Sequence, residues 1–361
     1  VSTHPSPVAM DVTPLVQHRG MGRYVSELLR ALRMEGVHVV GSVRTGRVLK
    51  GDVVRYLLRA RREGVRAFPA GFFRLPGIQQ WIRVFHAVEP AAYMPGPLPT
   101  VVTFHDLAQF RRGGKYSRIA ERIRRTPPER VVAVSHYTAR EVRRAFPELA
   151  DRIRVVHHGV RTDLFRPRTE TDVRPLLRQW GLAWNAYFLF AGEADDRKNL
   201  QVLARVVQDP RLPPLVMVGT SAERLASYLD PGAPGIRLLG PQPLTHLVAL
   251  YAGARALLFP SIEEGFGFPV LEAMACGTLV VTTPLSALPE VGGDVPLYLP
   301  PDDPEVWYET VRALASGEGE GERERLRRGR ERALTFSWTR TARATLEVYQ
   351  EAVHEATNQG N

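Results

Sequence analysis

One cysteine among 361 residues, Cys276, excludes an internal disulfide. It stands among small residues of an expected helix and reads as a buried structural thiol. Lysine is almost as scarce: of 48 basic residues only Lys50, Lys115 and Lys198 are lysine, a bias compatible with genome composition or heat adaptation. No stretch approaches the roughly eighteen uninterrupted apolar residues of a membrane-spanning helix. The opening VSTHPSPVAM lacks a basic n-region and an apolar h-region. Neither export nor a membrane span is therefore expected, and a cytoplasmic location follows. Cys and His nowhere occur at metal-ligand spacing, so no metal site is expected.

What is present is an ordinary globular composition, 44% hydrophobic and 24% charged, over a length that favours two domains. The formal charge is +10, and arginines cluster at Arg59, Arg61 and Arg62, at Arg111 and Arg112, at Arg122, Arg124 and Arg125, and at Arg143 and Arg144. Each cluster is most simply a solvated helix face. Together they suit anionic partners: nucleotide diphosphates, an anionic lipid surface contacted peripherally, or nucleic acid. No nucleic-acid module appears, and aromatics do not interleave with the basic runs, so nucleic acid is not an expected partner.

The organising stretch is Pro260 to Thr283, PSIEEGFGFPVLEAMACGTLVVTT. Ala256 to Phe259 reads as a buried strand. Pro269 suits a first helical position, and Gly277 supplies a left-handed C-cap before the strand Leu279 to Thr282. Ser261 to Phe268 is then a glycine-bearing loop at the carboxyl edge of a parallel sheet, aimed at a helix N-terminus where backbone N–H groups face an anion. Glu264 and Glu272 flank that site, seven residues intervening. On an unbroken helix they would stand about 12 Å apart, so each needs its own partner. Carboxylates beside a phosphate site make sense as acceptors for sugar hydroxyls.

The run EGFGFPVLEAMACGT resembles the E-x7-E signature of retaining, two-domain glycosyltransferases of family 4, which have the GT-B fold. The resemblance implies an α/β architecture of two Rossmann-like α/β/α domains facing each other across a cleft. It assigns the donor hexose to Glu264, the ribose hydroxyls to Glu272, and donor contacts to the loop residues Gly265, Phe266 and Gly267. Three further motifs agree. The Gly20-Met21-Gly22 loop, expected between a strand at Val8 to Asp11 and a helix from Tyr24, resembles the family's G-x-G-R-Y opening, which touches donor phosphate or acceptor. VVTFHDLA, a strand delivering His105 and Asp106, resembles T-x-H-D-L, whose histidine borders the donor sugar. EADDRKN resembles E-P-R-K-N, whose Arg-Lys pair binds the donor diphosphate and here falls on Arg197 and Lys198.

Those two cations stand close to a helix start, where they oppose the helix dipole and need an anion. A lysine in a chain that prefers arginine points to a phosphate oxygen met by a compact charge. Two departures are visible: His158 stands where relatives have asparagine, and Glu193 where some carry arginine. The turn with Gly240 and Gln242 corresponds to the segment that faces the nucleobase in relatives.

Further strands are expected at Val37 to Gly41, Val131 to Ser135, Ile153 to Val156, Tyr187 to Gly192, Leu215 to Gly219, Ile236 to Leu239 and Leu297 to Pro300. Helices are expected at Asp52 to Arg62 and from Leu200, Leu244 and Ser337, with Ser135 or Thr138 as an N-cap. No elements are assigned within 64–99, which a transferase of this kind would place beside the acceptor. Asp163 to Trp184 reads as a linker. The domains are thus 1–166, completed by the helix 337–361, and 167–336.

The absence of Asp-x-Asp disfavours the metal-dependent transferases of the other major fold. The function so implied is metal-independent, retaining transfer of a hexose, with mannose a candidate, from a nucleoside-diphosphate sugar to a glycan, lipid-linked or small-molecule acceptor, without a cofactor. A GT-B-like nucleotide-sugar epimerase, a phosphorylase and a basic nucleic-acid binder are the alternatives.

Overall fold

A computed structural model describes residues 7–16, 20–44, 58–111, 113–317 and 321–359. They fall into two compact units, the chain to Gly159 together with Ser337 onward, and Val160–Phe336. The sequence reading drew the first junction at 166/167. Entry to and exit from the second unit lie side by side, because the Val160 N–H donates to the Phe336 carbonyl at 3.1 Å. A Cβ on Gly159 would come within 2.2 Å of the Trp338 nitrogen, so no larger residue fits where the returning chain passes.

The first unit is built on a parallel sheet of β1 (Val8–Asp11), β2 (Val39–Val43), β3 (Ala67–Pro69), β4 (Val84–Ala87), β5 (Thr100–Phe104), β6 (Arg130–Ala133) and β7 (Ile153–Val155). The spatial order is β3-β2-β1-β4-β5-β6-β7, with the reversal between β1 and β4. Helices on both faces bury the central strands completely, which is why they read as apolar runs and not as alternation.

The final helix, Trp338–Gln359, belongs to this unit. Glu351 accepts Arg130 and Arg154, each at 2.8 Å, and Tyr349 OH lies 2.7 Å from His86 Nδ1. Ser135 is the N-cap of His136–Ala145, its Oγ accepting from the Thr138 N–H at 3.0 Å.

Two expectations differ from the structure here. Gly20 and Gly22 are not in a loop, since the helix Gly20–Met34 already begins at Gly20. Residues 17–19 lie outside the described residues. Of the basic helix expected at Asp52 to Arg62, only 58–62 is described, and it is helical. Within 64–99 the chain forms β3, β4 and short helical turns. β4 escaped notice because its VFHA run carries His86, which is buried by bonds to Tyr349 and to Thr103 Oγ1 at 2.7 Å, partners far away in sequence.

The second unit holds β8 (Phe188–Ala191), β9 (Leu215–Val218), β10 (Ile236–Gly240), β11 (Ala256–Phe259), β12 (Leu279–Thr282) and β13 (Leu297–Tyr298). They are parallel in the order β10-β9-β8-β11-β12-β13, so the reversal falls between β8 and β11. Ligands of open α/β sheets bind beyond the carboxyl ends of the strands at such a point. The supposed linker contains the helix Glu170–Gln179. Its polar opening is a capping box: Thr169 Oγ1 accepts from the Asp172 N–H at 3.3 Å, and the Asp172 carboxylate accepts from the Thr169 N–H at 2.9 Å.

Candidate active site

The helix Phe268–Cys276 starts after Gly267, which is left-handed at φ 104°, and ends at Gly277, left-handed at φ 75°. The left-handed dihedral is what calls for glycine at 267; a Cβ there would meet only the tip of Leu288, at 2.9 Å. The helix is buried almost throughout, Val270 to Cys276 included. It is a fixed platform behind the loop that follows β11.

On that loop Glu264 is held at four points. Its Oε1 is ion-paired with Lys198 Nζ and lies 2.8 Å from Ser261 Oγ. Its N–H donates to Ser286 Oγ at 2.9 Å, and its carbonyl accepts from the Ala287 N–H at 3.3 Å. Ser286 adopts φ 56°, an uncommon left-handed backbone for serine.

Lys198 comes from the loop after β8. It ends the short helical turn Asp196–Lys198, is 9% exposed, and carries its ammonium 4.9 Å over the Phe259 ring. The β8 and β11 loops are tied together through the Arg197 backbone, whose carbonyl accepts from the Ile262 N–H at 2.8 Å and lies 3.0 Å from Ser261 Oγ. The Arg197 guanidinium pairs with Asp195 at 2.9 Å. Glu193, at the position of the missing arginine, pairs with Arg224 at 2.9 Å.

The structure thus brings Glu264 and Lys198 together, with Arg197 fastening their loops. Gly265, Phe266 and Gly267 continue the same loop, where Phe266 is buried and meets Phe268 at 5.5 Å between ring centroids. Glu272 is 2% exposed in the second turn of the helix. Gly240 closes β10 at φ 61°. Gln242 spends its amide locally, Nε2 donating to the Leu239 carbonyl at 2.6 Å and Oε1 lying 3.0 Å from His246 Nδ1.

In the first unit His105 follows β5. Its Nε2 lies 3.0 Å from the Val88 carbonyl, which can only accept, so Nε2 carries the proton. Burial lowers its pKa, more than the nearby carboxylates and the Val88 bond raise it, so the ring is neutral and Nδ1 is an acceptor. Tyr24 meets His105 edge-on at 4.7 Å, and His158 stacks on it at 5.3 Å. His158 is itself held well below the usual histidine range by burial.

Sequence reasoning missed several groups. Ser261 and Ser286 fix Glu264, yet a lone serine carries no signal until a partner is known. At the carboxyl edge of the first sheet, Asp11 lies 3.5 Å from Arg44 Nε, and Arg44 is also ion-paired with Glu89. Burial pushes the Asp11 carboxyl up, against the opposing charge of Arg44.

Two parallel-sheet α/β units, the second with a glycine loop at a helix start and a lysine–carboxylate pair at its strand reversal, have the architecture of the two-domain GT-B class. Solved structures support the fold. A glycosyltransferase from Rickettsia africae ESF-5 superposes with a TM-score of 0.74 at 17% identity, covering 96% of this chain and 98% of that one. Anabaena HepE in complex with UDP-glucose does so at 0.71 and 13% identity, covering 98% and 100%.

The family model for Glycosyltransferase Family 4 matches residues 18–164, and that for Glycosyl transferases group 1 matches 185–317. The O-antigen chain mannosyltransferase B of Escherichia coli is 32% identical over 300 residues, 74% of this chain and 74% of that protein. The chain belongs to glycosyltransferase family 4, and it is a glycosyltransferase. No helix among the described residues is long and apolar enough to cross a membrane.

Proposed function

We propose that the chain transfers a hexose from a nucleoside-diphosphate sugar to a glycan, lipid-linked or small-molecule acceptor, with retention of configuration and without a metal ion or cofactor. Mannose is the first donor sugar to test, a choice supported by the name of the E. coli relative. The bound UDP-glucose in the Anabaena structure supports the donor class. The observation that carries the reading is the Lys198–Glu264 pair, held by Ser261 and Ser286 at the reversal of the second sheet.

In this reading Lys198 and the backbone N–H groups entering the helix Phe268–Cys276 bind the diphosphate, with Arg197 beside them. They stabilise charge as the bond between the anomeric carbon and the phosphate oxygen breaks and its electron pair leaves with the nucleoside diphosphate. Removing one such donor commonly costs about 100- to 1000-fold in rate. These cations stand in for a metal.

The acceptor hydroxyl forms the new bond on the same face and gives its proton to the departing phosphate oxygen. Glu264 orients the sugar and is not a nucleophile. Its Oε1 is already committed to Lys198 and Ser261, and Oε2 remains for a sugar hydroxyl. Glu272, in the second turn of the helix Phe268–Cys276, takes the ribose. Gly20 and Gly22 offer the first-turn amides of their helix to phosphate or acceptor, Gly240 and Gln242 offer backbone to the base, and neutral His105 accepts from a sugar hydroxyl.

A thermal-shift panel of nucleotide sugars in EDTA tests the donor class. Ligand at about 100 times its Kd adds about 2.7 kcal/mol, a rise of several degrees in Tm. A panel in which no nucleoside-diphosphate hexose raises the Tm refutes the reading.

A further inference from the structure

One cluster takes no part in the donor chemistry. It lies at the carboxyl edge of the first unit's sheet, where the strand order reverses between β1 and β4. Asp11 ends β1, Arg44 follows β2, and Glu89 stands two residues past β4. Ligands of open α/β sheets sit beyond the carboxyl ends of the strands at such a reversal. The frame around the cluster is fixed: the Arg44 N–H donates to Thr13 Oγ1 at 3.0 Å, and the His105 bond to the Val88 carbonyl holds the chain one residue before Glu89.

Within that frame the hydrogen bonding is incomplete. Asp11 is 0% exposed, and its bonds from the Thr13 N–H, at 3.1 Å, and from the Thr13 hydroxyl both go to Oδ1. Oδ2 has no hydrogen-bond partner among the described residues, nor has Arg44 Nε, which faces it at 3.5 Å. Ser42 Oγ is a third such atom, on a residue 1% exposed. Ser42 is the register partner of Asp11 on β2, and register partners share a face of the sheet. Buried polar atoms are almost always paired, so three orphans on this edge mark a place where a polar ligand completes the set.

The charges decide which ligand. One guanidinium stands between two carboxylates, Asp11 beside Nε and Glu89 ion-paired through Nη2, whereas at the second unit's reversal one lysine answers one carboxylate beside a helix start. A phosphate finds no surplus positive charge in this cluster. A carboxylate next to a guanidinium does offer acceptor and donors side by side, which fits neighbouring hydroxyls, since each hydroxyl both donates and accepts. Arg44 and Glu89 keep 27% and 16% of their side chains exposed, enough to meet such a group from solvent, while Asp11 and Ser42 lie behind.

We propose that Arg44 and Glu89, backed by Asp11 and Ser42, bind two neighbouring hydroxyls of an uncharged sugar ring, the residue that accepts the transferred hexose, and disfavour a phosphate-bearing one. Glu89 accepts from one hydroxyl and the guanidinium donates to the next, while Asp11 holds the guanidinium by charge from the buried side. Naming that sugar an acceptor rests on the proposed transfer; its binding does not, because no donor is needed to observe it.

The experiment is saturation-transfer NMR of the ligand-free full chain with methyl α-D-mannoside and methyl α-D-glucoside, each against the corresponding hexose phosphorylated at its primary hydroxyl. At least one neutral glycoside is expected to bind, and its phosphorylated counterpart about tenfold more weakly or not at all. Glu89→Gln leaves an oxygen for Arg44 but removes the second acceptor and the charge, so the neutral glycoside binds about tenfold more weakly and most of the discrimination against phosphate is lost. Arg44→Lys keeps a cation beside Asp11 and loses the planar fork, with a similar weakening at unchanged Tm. In transfer assays both variants raise the acceptor KM and leave the donor KM unchanged, a split that mere loss of structure does not give.

The proposal is overturned by absence of signal from both neutral glycosides, by phosphorylated sugars that bind as well or better, by variants that bind like the parent, or by a donor KM that moves with the acceptor KM. A parent that binds these glycosides but no nucleotide sugar leaves the site standing and refutes the transfer reading alone.

Discussion

Neutralising Glu264 separates what its carboxylate does for the fold from what it does for a ligand. In Glu264→Gln, Lys198 keeps a side chain only 11% exposed and loses its counter-charge, while Ser261 keeps an amide oxygen to donate to. Breaking one partner of a fully buried pair costs about 3–5 kcal/mol. With side-chain exposures of 11% and 13% the expected cost is roughly half that, about 2 kcal/mol, or several degrees in the Tm of a unit this size.

Lys198→Met should cost a similar amount by stranding the carboxylate. The double variant removes both charges and should recover part of the loss, giving a coupling of at least about 1 kcal/mol in a double-mutant cycle read by calorimetric melting of the ligand-free protein. Additive effects, within about 0.3 kcal/mol, would refute the claim that the two groups form one unit at the strand reversal.

Three further outcomes follow from the same geometry. Glu272→Gln should raise the donor KM by about tenfold or more with kcat changed less, because a lost ribose contact is felt before and during reaction alike; an unchanged KM removes the residue from donor binding. Transfer should be undiminished by EDTA, and restoration of a lost rate by added divalent cation would contradict a lysine-based site. Burial lowers the His86 pKa to about 3, so the unfolded chain takes up that proton near pH 6.5 and the native state does not. Each pH unit from about 6.5 downward to that value then costs about 1.4 kcal/mol, and His86→Gln should flatten the acid limb of the stability profile by that slope.

The second unit was the more legible in sequence, for a physical reason. Ala256–Phe259, the helix begun at Pro269, its Gly277 cap and Leu279–Thr282 are set by local chemistry: a short apolar run, a β-branched one, a proline at the helix start and a glycine at its end. Lys198 and Glu264 could each be singled out by residue type, yet their pairing lies 66 residues apart and appears only once β8 and β11 are neighbours. The linker reading failed because a Thr-Glu-Thr-Asp run is polar whether it is coil or a capping box. β4 failed because His86 is buried through Tyr349 on the last helix. Gly20 and Gly22 read as loop because glycine is a poor helix former, but at a helix N-terminus glycine is well tolerated.

The account rests on Lys198 being shared between Glu264 and a diphosphate, and calorimetric titration of Glu264→Gln against the parent tests this most directly. With the competing carboxylate gone, affinity for the nucleoside diphosphate should rise by about threefold to tenfold, while the advantage of the corresponding nucleoside-diphosphate hexose over the diphosphate should fall. A variant that loses affinity for the diphosphate, or keeps the full preference for the sugar-bearing form, would contradict the account.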